Sequence, residues 1–363
     1  MTESQACVAF NLTDRIGSVG VSRLTGENGS IVEAWERFPN KISRQGGEVD
    51  WKREYELAAR FGVKILTAVD AEYPRRLKEV PGHPLVLYVK GAVDVLNRPA
   101  VALVGTRRAT AYGRGVANQM AADLSAAGWM VLSGLAEGID AEAHRGVLSA
   151  DGVTVGVLGS ALDRFFPESN RALAREMVEK GGAVVSQFPF GRPPDRETFP
   201  IRNHVVAALA SGVVAVEAPL KSGTLITTGI AADLGRTVMA VPARVDNRMS
   251  SGCLKLIREG ALLVRNADDV LEALNELVPK RKSDSRDQDC PDPVAGASVE
   301  LPGYSAEEAL VMLHLDEGGV SLDELVGLTG LPVETVNAVA LKLRLKGFVR
   351  FLPGNRISLL TKV

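Results

Sequence analysis

The chain has 363 residues, of which 46% are hydrophobic and 24% are charged, so it has enough apolar side chains for a core and is not a disordered chain. Its 42 basic and 44 acidic residues nearly cancel, so any surface that binds phosphate must be local. The longest nearly apolar run, residues 205–216, is shorter than the roughly 20 residues of a membrane span, and the start lacks the basic and apolar segments of a secretory signal, which favours the cytoplasm.

Four segments follow one another along the chain. Helical spacing of apolar residues predicts a small helical domain over residues 1–68. Short apolar strands then alternate with Gly-rich turns and amphipathic helices over residues 69–278, which predicts an α/β domain with a Rossmann-like, doubly wound and mostly parallel sheet. Charged, Pro- and Ser-containing residues 279–298 predict a flexible linker. Three helices and a Pro-Gly-Asn hairpin over residues 299–363 predict a winged helix-turn-helix domain.

The loops that follow the predicted parallel strands lie at one edge of the sheet, where ligands bind in open α/β folds. These loops concentrate guanidinium groups, amide donors and predicted helix N-termini, all of which suit phosphate. The candidate binding residues are Arg107, Arg108, Arg114, Asn170, Arg171, Arg202, Asn203, Lys221, Ser222, Gly223 and Thr224, with further arginines at 192, 196, 244 and 248. Phe165, Phe166, Phe188, Phe190 and Phe199 lie in the same loops, and aromatic rings among basic residues suit unstacked bases. The set favours a polyanion over one small ligand.

Individual motifs have alternative interpretations. The turn at Gly105-Thr106-Arg107 is typical of phosphate binding but lacks the third glycine of a dinucleotide fingerprint. Residues 221–224 suit either a phosphate contact or a helix cap with a tight turn. Asp140 and His144 are either an acid–base pair or a cap and a structural residue, and Cys253 is either an activated or a buried thiol. The turn at residues 16–20, IGSVG, either holds a phosphate on backbone N–H groups or only packs. No catalytic residue, metal site or cofactor is predicted.

The charges of the C-terminal segment are strongly polarised. Residues 300–334 contain eight acidic residues and no Lys or Arg, whereas residues 335–363 contain six basic residues and no Asp or Glu. The basic residues include Lys342, Arg344 and Lys346 on the predicted recognition helix and Arg356 at the hairpin. This layout fits duplex DNA, and it fits equally a solvated helix or a surface that contacts a protein partner.

Several segments of the α/β domain resemble the DNA-processing protein A family, also called DprA or Smf. They include YPRRL at 73–77, VGTRRAT, SGLAEGIDAEAH, FPIRNHVVAAL and EAPLKSGTLIT, spread over about 200 residues in the family's order. The linker and tail match a known family architecture, and the first 68 residues look like the family's SAM-like domain. The resemblance implies a non-enzymatic homodimer that binds single-stranded DNA without sequence preference. It also implies protection of incoming strands and loading of the RecA recombinase in natural transformation.

The resemblance also assigns DNA contacts to Arg107, to Ser222, Gly223 and Thr224, and to Arg202 and Asn203. Three positions depart from the family pattern: Glu168 replaces a basic residue, for which Arg171 is a candidate substitute, and His204 and Leu254 replace Arg and Asn. The strand path is expected to differ there.

Two other functions remain open. The sheet and its Gly-Thr turn also look like those of nucleotide phosphoribohydrolases related to the LOG proteins, although Thr227 takes the place of their glutamate. The tail alternatively indicates a regulator that binds duplex DNA.

Overall fold

The structure is a computed structural model that describes residues 1–13, 16–26, 29–38, 41–43, 46–275, 306–315, 320–345, 348–352 and 356–359. The chain divides into two compact units, Met1–Arg281 and Lys282–Val363. None of the described helices is both long and apolar enough to cross a membrane.

The first unit begins with four short helices, α1 Glu3–Leu12, α2 Ser18–Thr25, α3 Ile31–Arg37 and α4 Trp51–Phe61. A capping box starts α1, in which Thr2 and Gln5 satisfy each other's backbone N–H groups. The rings of Phe10 and Trp35 meet edge to face with their centroids 5.1 Å apart and join α1 to α3. These helices pack on the edge of the sheet through Tyr88 and Phe190.

In the described residues the sheet has nine strands: β1 Lys64–Thr67, β2 Val86–Gly91, β3 Ala100–Gly105, β4 Met130–Ser133, β5 Thr154–Val157, β6 Ala183–Ser186, β7 Gly212–Glu217, β8 Thr237–Ala240 and β9 Leu262–Leu263. Their order is β1-β2-β6-β5-β4-β3-β7-β8-β9, parallel from β6 to β9 and antiparallel at β1 and β2. The predicted mostly parallel α/β fold is confirmed. Strand β1 lies before the boundary predicted at residue 68, yet it pairs within this sheet.

Eight helices accompany these strands in the described part of the unit: α5 Arg75–Lys78, α6 Ala111–Ala126, α7 Ile139–Ser149, α8 Arg171–Glu179, α9 Thr198–Leu209, α10 Gly223–Asp233, α11 Ser251–Arg258 and α12 Ala267–Asn275. Strand β3 shows why its sequence is continuously apolar. Ala100 and Ala102 face one buried cluster, whereas Val101 and Leu103 face another on the opposite side of the sheet. Both faces are therefore covered by helices.

The order of the strands places a crevice beside β3. After β3 the chain builds β4, β5 and β6 on one side, and it then returns to build β7 on the other side of β3. The loops that leave β3 and β7 therefore diverge at the carboxyl edge, and a doubly wound sheet binds its ligands at such a point.

The second unit contains α13 Ala306–Leu313, β10 Val320–Ser321, α14 Leu322–Thr329, α15 Val333–Leu345, β11 Val349–Leu352 and β12 Arg356–Leu359. Its strands pair antiparallel in the order β10-β12-β11. Val336, Val339 and Leu343 are buried on one face of α15, at the spacing of an amphipathic helix. The predicted winged-helix architecture is confirmed.

Candidate nucleic-acid interface

The crevice between the loops after β3 and β7 is a cavity of about 330 Å³, which we name the switch cavity. It gathers residues from four of the predicted loops. The predicted site residues in its lining are Arg107, Arg108, Arg202, Asn203, Lys221, Ser222, Gly223 and Thr224. Eight of the eleven residues predicted at this edge therefore meet in one place.

Three cationic side chains supply positive charge to the switch cavity. Arg107 and Arg108 follow β3, Lys221 follows β7, and all three are exposed. In the part of the chain that the structure describes, none of the three forms an ion pair. The cavity thus holds three cations without an ion-pair partner among the described residues, although the buried Asp140 carboxylate also lines it.

Helix α10 begins at the cavity and directs its N-terminus into it. Its N-cap, Ser222, makes no side-chain capping bond. The Ser222 Oγ atom is buried and lacks a hydrogen-bond partner among the described residues. Gly223 and Thr224 follow as the first residues of the helix, where backbone N–H groups have no partner inside the helix. An unpaired hydroxyl beside a helix N-terminus suits an anionic oxygen.

Gly223 keeps the space above this N-terminus open. Its backbone is not in the left-handed region, and a Cβ atom built on it would meet no atom within 4 Å. Neither conformation nor packing therefore requires a glycine at this position. Its absent side chain instead leaves room for a ligand to approach the backbone closely.

The N-terminus of α6, by contrast, is already occupied by a buried carboxylate. The Oε2 and Oε1 atoms of Glu217 accept hydrogen bonds from the backbone N of Thr110 at 2.8 Å and from its Oγ1 at 2.9 Å. A Cβ atom on Gly113 would lie 2.5 Å from Glu217 Oε2. The turn at 105–107 therefore supplies Arg107 to the cavity, but its helix is capped internally. Glu217 was not predicted, although a carboxylate that ends an apolar strand at the ligand edge is a usable signal.

A second cavity, of about 290 Å³, adjoins the first and shares Arg107, Phe199 and Arg202 with it. We name it the aromatic cavity. The rings of Phe166 and Phe199 have centroids 6.2 Å apart, and the Arg107 guanidinium lies 4.8 Å from the Phe199 centroid. Phe166 is 43% exposed. The two cavities form a cationic compartment next to an aromatic one.

The other three predicted phenylalanines do not line this cavity. Phe165 is half-buried beneath the Arg171 guanidinium, 5.2 Å from its ring centroid. Phe188 and Phe190 are buried and belong to the core, which was the alternative to stacking.

Arg202 is buried and holds two strand ends together. Its Nη1 atom donates to the carbonyl oxygens of Gly134 and Val157, and its Nε atom donates to Asn203 Oδ1 at 3.1 Å. Burial lowers the pKa of the Arg202 guanidinium to about 10, against the opposite effect of the nearby Asp140 carboxylate. Arg202 therefore forms the floor of both cavities, and most of its hydrogen-bonding capacity is used internally.

Three other predicted residues lie outside the switch cavity. Asn170 is 3% exposed, and its Nδ2 atom donates to Leu135 O at 2.9 Å, so its side chain joins two loops. Arg171 forms a bidentate pair with Glu168 at 2.6 and 2.8 Å, which cancels its charge locally. Arg114 is exposed on α6, and its Nε atom donates to Ala109 O at 3.3 Å.

Two further arginines at this edge are also paired within their own loops. Arg192 contacts Asp195 at 2.6 Å, and Arg244 contacts Asp246 at 2.8 Å. In the second unit, Lys342, Arg344 and Arg356 are exposed, whereas Lys346 lies outside the described residues.

Asp140 and His144, the possible acid–base pair, each form hydrogen bonds with other residues. His144 is fully buried, and its Nδ1 atom lies 2.8 Å from Thr154 Oγ1. Burial lowers its pKa to about 3. Asp140 Oδ2 instead accepts the backbone N–H of Gly134 at 3.1 Å, so the two side chains do not act as an acid–base pair.

Cys253 is fully buried. Burial raises the pKa of the Cys253 thiol to about 12, as expected for a structural cysteine. Among the residues that the structure describes, no three His, Cys, Asp or Glu side chains are grouped as metal ligands.

Comparison with known proteins identifies relatives along most of the chain. The family model for DNA recombination-mediator protein A matches residues 64–275, and the model for the DprA winged helix domain matches residues 295–355. Protein Smf of Synechocystis sp. is 31% identical over 98% of this chain and 98% of its own.

Two solved structures share the fold. DNA processing protein A from Streptococcus pneumoniae is similar with a TM-score of 0.56 and 33% identity, over 67% of this chain and 80% of that one. The protein of the same name from Helicobacter pylori, whose structure addresses its single-stranded DNA binding mode, has a TM-score of 0.53 and 26% identity, over 59% of this chain and 96% of that one. The resemblance found in the sequence is thus confirmed, and the chain belongs to the DNA recombination-mediator protein A family, whose members are known as DprA or Smf.

Proposed function

We propose that the protein binds single-stranded DNA without sequence preference. A phosphate group occupies the switch cavity, and a neighbouring base occupies the aromatic cavity. The observation that carries this proposal is the position of Arg107, which lines both cavities and lies over the Phe199 ring. The DNA-binding mode studied for the Helicobacter pylori relative supports the same class of ligand.

In this proposal the phosphate is held by neutral and charged donors together. Its oxygens accept hydrogen bonds from the N–H groups of Gly223 and Thr224 and from the Ser222 hydroxyl, which otherwise lacks a partner among the described residues. Arg107 and Lys221 add positive charge. None of these contacts depends on the identity of the base, so binding is independent of sequence.

The base lies against the rings of Phe166 and Phe199. Every base has a π face, so stacking tolerates all four of them and contributes roughly 1–3 kcal/mol per base. Arg202 and Asn170 are positioning residues here, because both are buried and hydrogen-bonded to backbone carbonyls. Arg108, Asn203 and Arg114 flank the strand, and Arg171 joins them only if it leaves Glu168.

Family membership supports the wider role. We infer that the protein acts in the cytoplasm as a homodimer, protects incoming single strands, loads RecA recombinase onto them in natural transformation, and catalyses no reaction. The basic side of the tail, with Lys342, Arg344, Arg356 and residue 346, makes a secondary contact with DNA or with a protein partner.

The test compares two arginines of the same edge. Arg107→Ala should weaken binding to a thymine oligonucleotide by about ten- to a hundredfold, as expected for a lost charge-assisted hydrogen bond. Arg244→Ala is the matched control, because Arg244 is also exposed but is paired with Asp246; it should change affinity less than about twofold. Binding should also weaken steeply with salt. Unchanged affinity of Arg107→Ala would refute the proposal.

The same purified protein can also be tested for the two alternative functions, a nucleotide phosphoribohydrolase and a regulator that binds duplex DNA. A phosphoribohydrolase would release free base from AMP, but the threonine at its glutamate position, Thr227, is buried and donates to Gly223 O at 3.3 Å. A regulator acting through the tail would bind duplex DNA more tightly than single strands and would lose that binding in Lys342→Ala.

A further inference from the structure

A third cavity, of about 570 Å³, lies against the opposite face of α9 from the switch cavity. Phe199, Arg202 and Asn203 face the switch cavity, whereas Ile201 and His204 line the third. At 100° per residue, these two sets point to opposite sides of one helix. We name the third cavity the histidine cavity, because His83 and His204 both line it.

The rest of its wall joins the N-terminal helices to the sheet. Asn11 at the end of α1 and the turn Ile16–Ser18 form one side. Gly82–Leu85 and Gln187–Pro189 form the other sides. The turn is the start of the IGSVG segment, whose purpose the sequence left open. In the structure this turn lies on the opposite side of α9 from the proposed DNA site.

The lining indicates the class of ligand. The described lining contains no Lys, Arg, Asp or Glu, and the N-terminus of α2 at Gly17 and Ser18 adds only a partial positive charge. It combines apolar surfaces, including Pro84, Pro189 and the 46% exposed Ile201, with neutral amide and imidazole groups. A flat, neutral ring with polar edges, such as a nucleobase, matches that chemistry.

The hydrogen bonds of the histidines define what they offer. His83 Nδ1 lies 3.0 Å from the carbonyl oxygen of Val80, and since a carbonyl only accepts, Nδ1 is the donor of this bond and Nε2 is the nitrogen that can accept when the ring carries a single proton. His204 likewise bonds the backbone of Pro81, which has only a carbonyl to offer, and burial lowers its pKa. In its singly protonated form each imidazole therefore keeps one acceptor nitrogen. The four DNA bases each carry an N–H on the pairing edge, which such an acceptor can bind.

We propose that the histidine cavity holds an unstacked base of the same DNA strand that occupies the switch cavity. This inference rests on the proposed function, because the strand reaches the cavity by crossing α9. The helix is roughly 10 Å wide, a span that an extended strand bridges in a few nucleotides. The N-terminal helices thus form one wall of a longer strand path.

Gly17→Trp tests the proposal by filling the cavity. Gly17 has extended backbone angles, φ −115° and ψ −177°, and a Cβ atom on it would meet nothing within 4 Å. Gly229→Trp is the matched control, because Gly229 lines a different cavity and its Cβ atom would also meet nothing within 4 Å. Both variants are titrated with thymine oligonucleotides of about 2 nucleotides, too short to cross α9, and of about 20 nucleotides, after sedimentation has compared their oligomeric states.

Gly17→Trp should weaken binding of the long oligonucleotide about tenfold, the effect of losing one bound base, and leave the short one unchanged. Gly229→Trp should change neither. Equal affinity of Gly17→Trp and the unaltered protein for the long oligonucleotide overturns the inference. Arg107→Ala, run in parallel, should weaken both lengths; if it weakens neither, the proposed function itself fails.

A second variant removes the acceptor and keeps the shape. His204→Phe should also weaken only the long oligonucleotide, by about fivefold, the size of one modest hydrogen bond. An unchanged affinity for the long oligonucleotide in both Gly17→Trp and His204→Phe means that no base enters the cavity.

Discussion

Two glycines of α10 differ in their relation to the switch cavity. Gly223 is at the first turn and lines the cavity, whereas Gly229 is in the middle of the helix and does not. A Cβ atom would meet nothing within 4 Å at either position, and neither backbone is left-handed. Leucine therefore fits the fold at both sites, so Gly223→Leu and Gly229→Leu form a matched pair.

The two variants should agree in stability and differ in binding. Leucine has a higher helix propensity than glycine, so each variant should raise the free energy of unfolding by up to about 0.8 kcal/mol, less at the first turn. The side chain at position 223, however, would occupy the space through which a phosphate reaches the N–H groups of α10. Blocking one charge-assisted hydrogen bond costs about 1.5–3 kcal/mol, which is roughly ten- to a hundredfold in affinity.

Fluorescence anisotropy with a labelled thymine oligonucleotide measures the affinity, and urea denaturation measures the stability. We expect Gly223→Leu to bind at least about tenfold more weakly than Gly229→Leu, which should bind as the unaltered protein does. Equal affinity of the two variants, with both folded, would show that no anionic oxygen approaches the start of α10.

Replacing Arg202 with Met should lower the free energy of unfolding by about 2–6 kcal/mol, because the buried carbonyls of Gly134 and Val157 each lose their donor; a loss under about 1 kcal/mol in urea denaturation would contradict the positioning role. Glu168→Gln should release Arg171 from its ion pair and so raise the affinity for single strands at low salt. The slope of log K against log salt should steepen by about one. Titrations at several salt concentrations that give the original slope would contradict the release of Arg171. His144 is neutral in the fold, with a pKa of about 3 against 6.5 when unfolded, so the unfolded chain gains a proton first as pH falls. Stability should therefore decrease between about pH 6.5 and pH 3, by up to about 1.4 kcal/mol per unit, and His144→Asn should remove this dependence; urea midpoints at pH 7 and pH 5 check it.

The sequence was sufficient to predict the parallel sheet, because strands that are buried on both faces are continuously apolar. Ala100–Gly105 and Gly212–Glu217 are continuously apolar up to their last residues, and the helices between strands have a different period. Since parallel strands end at one edge, the sequence placed Arg107 and Lys221 on the same edge, but their meeting in one cavity depends on β3 and β7 being neighbours. Strand β1 was not predicted, because four residues after a helix carry little pattern.

The sequence could not show which of the predicted arginines form ion pairs with neighbouring carboxylates. Arg171, Arg192 and Arg244 each have a carboxylate two or three residues away, but only the loop conformation decides whether the pair closes. The partner of Thr110 is 107 residues distant along the chain, so the position of Glu217 depends on the assembled sheet. The environment of Arg202 arises in the same way, because its acceptors are Gly134, which directly follows β4, and Val157 at the end of β5.

Glu217 also limits what kind of nucleotide this fold accepts. Cofactors such as dinucleotides set their pyrophosphate on the helix that follows the first strand of a doubly wound half. Here that seat is taken by the protein's own negative charge, and a diphosphate placed there would face electrostatic repulsion and a blocked dipole. The start of α6 is thus unsuited to the diphosphate of a small cofactor, whereas the start of α10, at the switch cavity, makes no side-chain capping bond.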